Sequence, residues 1–195
     1  MGRAGIRSLK SRGKNGGIAM IKVLFVLLYT TLLALSTLNA QTRERWDVKT
    51  CTDGFTPPKV AKSITVSEVE KYPLTKVGNA TARLPQEKQL ITVRGKIVRH
   101  TLEQDGDCHT EVNDGTSKYS LPCEAVNPND KTAKTSPYIK EFTSVRSVIN
   151  SAKLGDEIEI TGVSFQDKKH GKITARTPNY FEIHPILSCR IIKSK

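Results

Sequence analysis

From Ile91 to Val98 the chain alternates: Ile91, Val93, Gly95 and Ile97 fall on one face, Thr92, Arg94, Lys96 and Val98 on the other. A period of two marks a strand with a half-buried face, and Gly95 in its middle predicts a bulge or sharp coil. Asp105-Gly106-Asp107 reads as a turn and Cys108 to Val112 as a second strand. Asn113-Asp114-Gly115 supplies hairpin chemistry, and Lys118 to Leu121 return as the third strand. The period then changes. Ser136 and Pro137 supply an N-cap and a first-turn proline, Tyr138, Phe142, Val145, Val148, Ile149 and Ala152 recur at helical spacing, and Gly155 closes the segment. Ile158 and Ile160 then alternate with Glu157 and Glu159, and Val163 and Phe165 continue this fourth strand. Asp167 to Gly171 turn the chain, and a fifth strand runs from about Tyr180 to Ile192, interrupted at Pro185.

This order predicts a mainly β fold, a five-stranded OB-like Greek-key barrel with one α-helix between strands 3 and 4. An SH3-like barrel or another small α+β sheet would accommodate most of the pattern, but the capped helix in that slot makes either less natural. The barrel domain is expected over residues 88–195, after an extended lead-in over 41–87 that carries Pro57-Pro58, Pro73 and Pro85. Within the lead-in, Val60 to Val69 suggests a strand or a turn of helix, Ser67 to Tyr72 hints at helix, and Trp46 is a candidate anchor on the domain.

Residues 1–40 differ in kind. Arg3, Arg7, Lys10, Arg12, Lys14 and Lys22 stand there without an acid, and Val23 to Leu35 is almost unbroken apolar sequence ending in Ser36-Thr37-Leu38-Asn39-Ala40. A basic n-region, an apolar h-region and a small residue at the end predict a signal peptide cleaved after Ala40, with Met1 or the more compact Met20 as its start. The run is shorter than the roughly 20 residues that span a bilayer, so no stable membrane span is expected after cleavage, and the mature chain is expected to be secreted or periplasmic. Cleavage also removes six of the 31 basic residues and none of the 19 acids, so the formal charge falls from +12 to +6. A mildly basic, soluble surface is the ordinary meaning of that value.

Cys51, Cys108, Cys123 and Cys189 remain, an even number in a small exported domain, which favours two disulfides. No CxxC pair is present, which argues against structural zinc. Cys108 with Cys123 would bridge the hairpin locally. Cys123 with Cys189, leaving Cys51 to Cys108, closes longer loops and is preferred.

Polar chemistry gathers near the strand ends: Asp105, Asp107 and His109 in DGDCH, Asp167 and His170 in DKKHG, Glu182 and His184 in EIHP. His109, His170 and His184 are candidate ligands for zinc, copper or nickel, although no HxxxH or HExxH spacing supports them. Loop hydrogen bonds and turn caps are the commoner use of such residues. No GxSxG, P-loop or catalytic-cysteine pattern occurs, and although Asp107 and Glu182 are a carboxylate pair, an enzyme is not expected. A binding barrel offers a basic groove with stacked aromatics, for which Arg94, Lys96, Arg99, Tyr119, Lys168, Lys169, Lys172, Arg176 and Tyr180 are the candidates. Its ligand would be an anionic polymer, a nucleic acid or an oligosaccharide, with no cofactor; the alternative is a metal-binding protein or metal-dependent hydrolase using the three histidines.

The segments TVRGKIV, DGDCH, LPCEAVNP, ITGVSFQDKKHG and NYFEIHPILSC, in that order, resemble a family of uncharacterised, mostly exported bacterial proteins with an OB-like domain. That family runs as DGD-x-H, GV-x-F-D-x-x-HG and E-[IL]-H-P, and the resemblance covers about Lys88 to Ile192. It implies that His109, His170 and His184 belong to a recurring pattern and that Cys123 and Cys189 are partners. Cys108 departs from it, standing where an aromatic is more typical. The resemblance brings no activity with it.

Overall fold

Among the described residues, six strands share one sheet in the order β1-β2-β3-β4-β6-β5, and a further pairing joins β5 back to β2, so the five strands β2 to β6 close into a barrel. They are β1 (Lys62–Ser63), β2 (Leu90–Leu102), β3 (Cys108–Asn113), β4 (Leu121–Ala125), β5 (Glu157–Gln166) and β6 (Phe181–Lys193). Helix α1 (Trp46–Lys49) precedes β1, α2 (Val66–Val69) and a 3-10 turn (Pro85–Glu87) follow it, and α3 (Ile139–Ser151) lies between β4 and β5. The computed structural model describes residues 45–169 and 176–193. The leader, its cleavage point, His170 and Lys172 lie outside the described residues. Among those described, no helix is long and apolar enough to cross a membrane.

The helix between the third and fourth barrel strands gives the OB-like topology expected from the sequence. Inward-facing Ile91, Val93, Ile97, Val112, Leu121, Cys123, Ile158, Ile160, Phe181 and Ile183 are buried in one cluster, with Val145 and Ile149 of α3 packed on it. Fully burying a side chain of this kind stabilises by roughly 1.5–3 kcal/mol, so the alternation seen in the sequence is the main source of the fold.

Several local expectations are corrected. The register shift in β2 falls between Ile97 and Arg99, not at Gly95. Gly95 is there for close approach: a Cβ would stand 2.5 Å from Asn113 O. The returning strand starts at Leu121 rather than Lys118, because Asn113 Nδ2 donates to Ser117 O and Tyr119 O and holds that stretch as a loop. Helix α3 starts at Ile139; Ser136, the expected cap, accepts from Tyr138 N and donates to Thr50 O instead. Strand β6 runs through Pro185 without a break, its partner β5 absorbing the irregularity in register shifts on either side of Gly162. A Cβ on Gly162 would meet Pro185 O at 2.3 Å and Ile186 Cα at 2.9 Å. Backbone cannot yield as a side chain can, so Gly162→Ala is expected to lower stability by about 1–3 kcal/mol, read as a lower urea midpoint at unchanged slope.

All four cysteines are free thiols, so neither preferred pairing forms. Cys51 sits in a left-handed turn beside Arg83, Cys108 faces Asn150 of α3, and Cys123 is sealed inside the barrel. Cys189 sits on β6 against the Val145 carbonyl of α3.

The lead-in does more than extend. Ile64, Val66 and Val69 belong to the main core cluster. Helix α2 is closed by a Thr65–Glu68 capping box and tied to the β3–β4 loop where Val66 N donates to Asp114 Oδ2. Helix α1 is fastened by Arg45, whose guanidinium donates to both Glu87 oxygens and to Gln166 O.

Candidate functional site

The outward faces of β3, β4 and β6 are not apolar. Inward-facing Cys108, Val112, Cys123, Ala125, Phe181 and Ile183 alternate with His109, Glu111, Glu124, Glu182 and His184, every one of them buried. Strand β4 lies between the other two: His109 registers with Glu124, and Cys123 registers in parallel with Ile183. Continued by one residue, that parallel register puts Glu124 of β4 level with His184 of β6, and so His109, Glu124 and His184 in one row of backbone positions across three adjacent strands. Helix α1 covers part of this face. The Trp46 ring meets the His184 ring edge-on at 6.4 Å, Phe165 meets it at 5.7 Å, and Trp46 Nε1 donates to Asp130.

His109 is held from both sides. Its Nδ1 donates to Glu124 Oε1 at 2.5 Å, and its Nε2 donates to Glu111 Oε1 at 3.0 Å. Ser120 Oγ donates to the other Glu111 oxygen at 2.6 Å, and Glu103 Oε1 lies 3.6 Å from Nδ1. Burial opposes charge on the imidazole, but the hydrogen bonds to Glu111 and Glu124 outweigh it and raise His109 to about 10. Burial likewise opposes ionised Glu111, yet His109 and Ser120 bring it down to about 2.

His184 belongs to a different set. Its Nδ1 bonds Glu182 Oε1 at 3.1 Å, while Nε2 lies 3.5 Å from Asp107 Oδ2. Burial, with the positive charges of Lys49 and His109, pushes its pKa well below the histidine range. Burial, then the charge of Asp105, pushes Asp107 up to about 8, against a hydrogen bond that it accepts from Asn127 N. Burial raises Glu182 well above the carboxylate range, with Asp167 adding to it. Among the described residues, three buried side-chain atoms have no hydrogen-bond partner: Asp107 Oδ2, Glu124 Oε2 and His184 Nε2.

Ligand atoms of Glu103, His109 and Glu124 all lie within 4.8 Å of one another. The Glu103 side chain is 47% exposed while His109 and Glu124 are buried, so this trio opens to solvent on one side. The sequence singled out His109, Asp107, Glu182 and His184. It lent no weight to Glu103, Glu111 or Glu124, although Glu124, a lone acid inside the apolar run LPCEAV, was the visible signal.

Of the residues expected to form a basic groove, Lys172 lies outside the described residues. Arg94 and Lys96 line an open cleft of about 600 Å³ with Val98, Asn113, Asp114 and Glu157. Arg94 is paired with Glu157, and Arg99 turns to Glu111. Tyr119 packs partly on the core and carries Lys118 over its ring. Arg176 bridges Ser120, and Tyr180 takes a left-handed backbone beside Asp167.

The chain is an OB-like barrel with a buried histidine–carboxylate face. No protein-family model matches it, and no curated protein does. Among solved structures it is similar to the OBody AM3L09 bound to hen egg-white lysozyme, at 12% identity and TM-score 0.42, over 72% of this chain and 100% of that one. It is also similar to the asparaginyl-tRNA synthetase of Entamoeba histolytica, at 13% identity and TM-score 0.42, over 71% of this chain and 25% of the enzyme.

Proposed function

We propose that the chain is an exported binding module whose ligand is a divalent transition-metal ion, held by Glu103, His109 and Glu124. One observation carries the reading: three ligand atoms from two strands and an adjoining turn, the half-exposed Glu103 among them, converge within 4.8 Å. A tetrahedral ion at 2.0–2.2 Å from each ligand would space such atoms by about 3.4 Å. The present separations from His109 Nδ1, 2.5 Å to Glu124 and 3.6 Å to Glu103, bracket that spacing. Glu111 fixes the ring through Nε2, as carboxylates fix metal-bound histidines, and leaves Nδ1 to the ion. One imidazole with two carboxylates suits zinc or manganese better than a thiolate-seeking metal.

The anionic-polymer reading has less support. The face that OB barrels offer to ligands, on their second and third strands, here carries Glu111, Glu124 and His109, a set that repels phosphate. Glu103→Gln, at a half-exposed position, is expected to weaken zinc binding at least about tenfold in calorimetric titration, and Glu124→Gln more, with thermal unfolding retained in both. Equal zinc affinity in wild type and both variants would sink the assignment. Export is checked separately, by mass spectrometry for a mature chain starting at Gln41.

A further inference from the structure

We infer that the same face holds a second metal position, built from His184 Nε2 and Asp107 Oδ2 and joined to the first by Glu124. The inference rests on the proposed metal-binding function and extends it from one ion to a pair.

His184 is 2% exposed and Asp107 1% exposed, yet Nε2 of the one and Oδ2 of the other have no hydrogen-bond partner. Buried polar atoms are nearly always satisfied, because stripping them of water without a replacement costs about 1–3 kcal/mol each. These two face each other at 3.5 Å, too long for a good hydrogen bond and close to the separation of neighbouring donors around one ion. Each is also oriented by its other atom. Asp107 Oδ1 accepts from Asn127 N at 2.7 Å, and His184 Nδ1 is held by Glu182 at 3.1 Å. With Nδ1–H given to Glu182, Nε2 presents its lone pair to Asp107. A carboxylate behind the ring and a carboxylate in front of it is how metal-binding histidines are set.

The link to the first position is the strand register. Glu124 lies between His109 on one side and His184 on the other, and neighbouring strands are 4.7–4.9 Å apart. Its Oε1 belongs to His109, whereas its Oε2 is the third buried atom without a partner. A carboxylate with one oxygen for each side is the usual bridge in paired-ion sites, where ions stand about 3.5–4 Å apart. The three orphaned atoms of the described residues thus belong to one face of the barrel. The chemistry of the donors again fits zinc or manganese.

The test uses the chain purified without tag or chelator and loaded with zinc. Metal content is measured by elemental analysis after dialysis, and ion positions by anomalous scattering from crystals at the zinc edge. Two ions per wild-type chain are expected, one bonded to His109 Nδ1 and one to His184 Nε2. Asp107→Asn keeps the acceptor for Asn127 N, and should retain only the ion at His109; Glu103→Gln should weaken that ion and leave the one at His184. A single ion at His109 that Asp107→Asn does not affect would overturn the second position and leave the proposed function standing. So would a single ion shared by both histidines. No bound ion in the folded wild-type chain would overturn the inference and the function together.

Discussion

Glu87→Ala is expected to cost about 3–5 kcal/mol of folding stability, because it strands a buried cation. The Arg45 side chain is 3% exposed and Glu87 is fully buried. Glu87 accepts from both terminal nitrogens of Arg45, from Leu84 N and from Gln166 N, so one carboxylate closes α1, the 3-10 turn and the end of β5 together. Remove it and, among the described residues, the guanidinium keeps the carbonyls of Thr81, Ala82 and Gln166 and the Phe165 ring, 4.8 Å away. Two backbone N–H groups lose their acceptor as well. Replacing both members with apolar residues, Arg45→Met with Glu87→Leu, is expected to recover most of the loss, since the desolvation cost leaves with the pair. Urea unfolding of the single and double variants measures this. A loss below about 1 kcal/mol for Glu87→Ala would show that the latch is solvated and that α1 is not fixed through it.

The fold was legible because it is written in periods that local physics enforces. Ile91, Val93 and Ile97 had to face a core whatever the neighbours were, and Phe142, Val145 and Ile149 could share a face only on a helix. What periodicity does not encode is where long-range pairs close. The Asn113 amide delays β4 by three residues through contacts with Ser117 and Tyr119, and nothing in Asn-Asp-Gly announces that. Gly95 looked like a bulge since the sequence shows a missing side chain but not the Asn113 carbonyl that requires it to be missing. The cysteine count suggested two bridges, yet the thiols are spread over the α1 turn, the α3 contact and the barrel interior.

The site was half legible for a related reason. Histidines and DGD or EIHP segments stand out as residue types, so His109, His184, Asp107 and Glu182 were marked. Glu111 and Glu124 look like ordinary outward strand acids until strand order places β4 between β3 and β6. Only then does the alternation that buries Cys123 also put Glu124 between two imidazoles. Strand order also decides the ion pairs of the basic residues, since Arg94 and Arg99 belong to one strand but pair with acids on different neighbours, Glu157 and Glu111.

The metal-free chain is expected to lose stability as pH rises from 6.5 to about 10. A folded-state pKa raised above the unfolded value contributes stability that is complete below the unfolded value and is lost as pH rises through the folded one. His109 moves from 6.5 up to about 10, so the stability held in its bonds to Glu111 and Glu124 is present in full below 6.5 and gone near 10. Asp107 moves from 3.8 up to about 8 and adds a loss of the same sign ending near pH 8. Cys51, raised from 9.0 to about 11 by burial, begins to contribute the same sign at the top of the range. The depressed groups do not compensate. Glu111, lowered to about 2, and His184, lowered well below 6.5, have their stability present above their unfolded values and lose it only toward acid. A proton held tenfold more tightly in the folded chain than in the unfolded one is worth about 1.4 kcal/mol, so the alkaline limb amounts to a few kcal/mol between about pH 7 and 9.5. Urea unfolding in the presence of chelator at those two values reads it directly. His109→Gln should flatten the limb, because an amide at that position no longer carries the proton that ties β3 to β4. Stability that stays level or rises across the same interval in the wild type would mean that His109 is not held as an imidazolium between its two carboxylates.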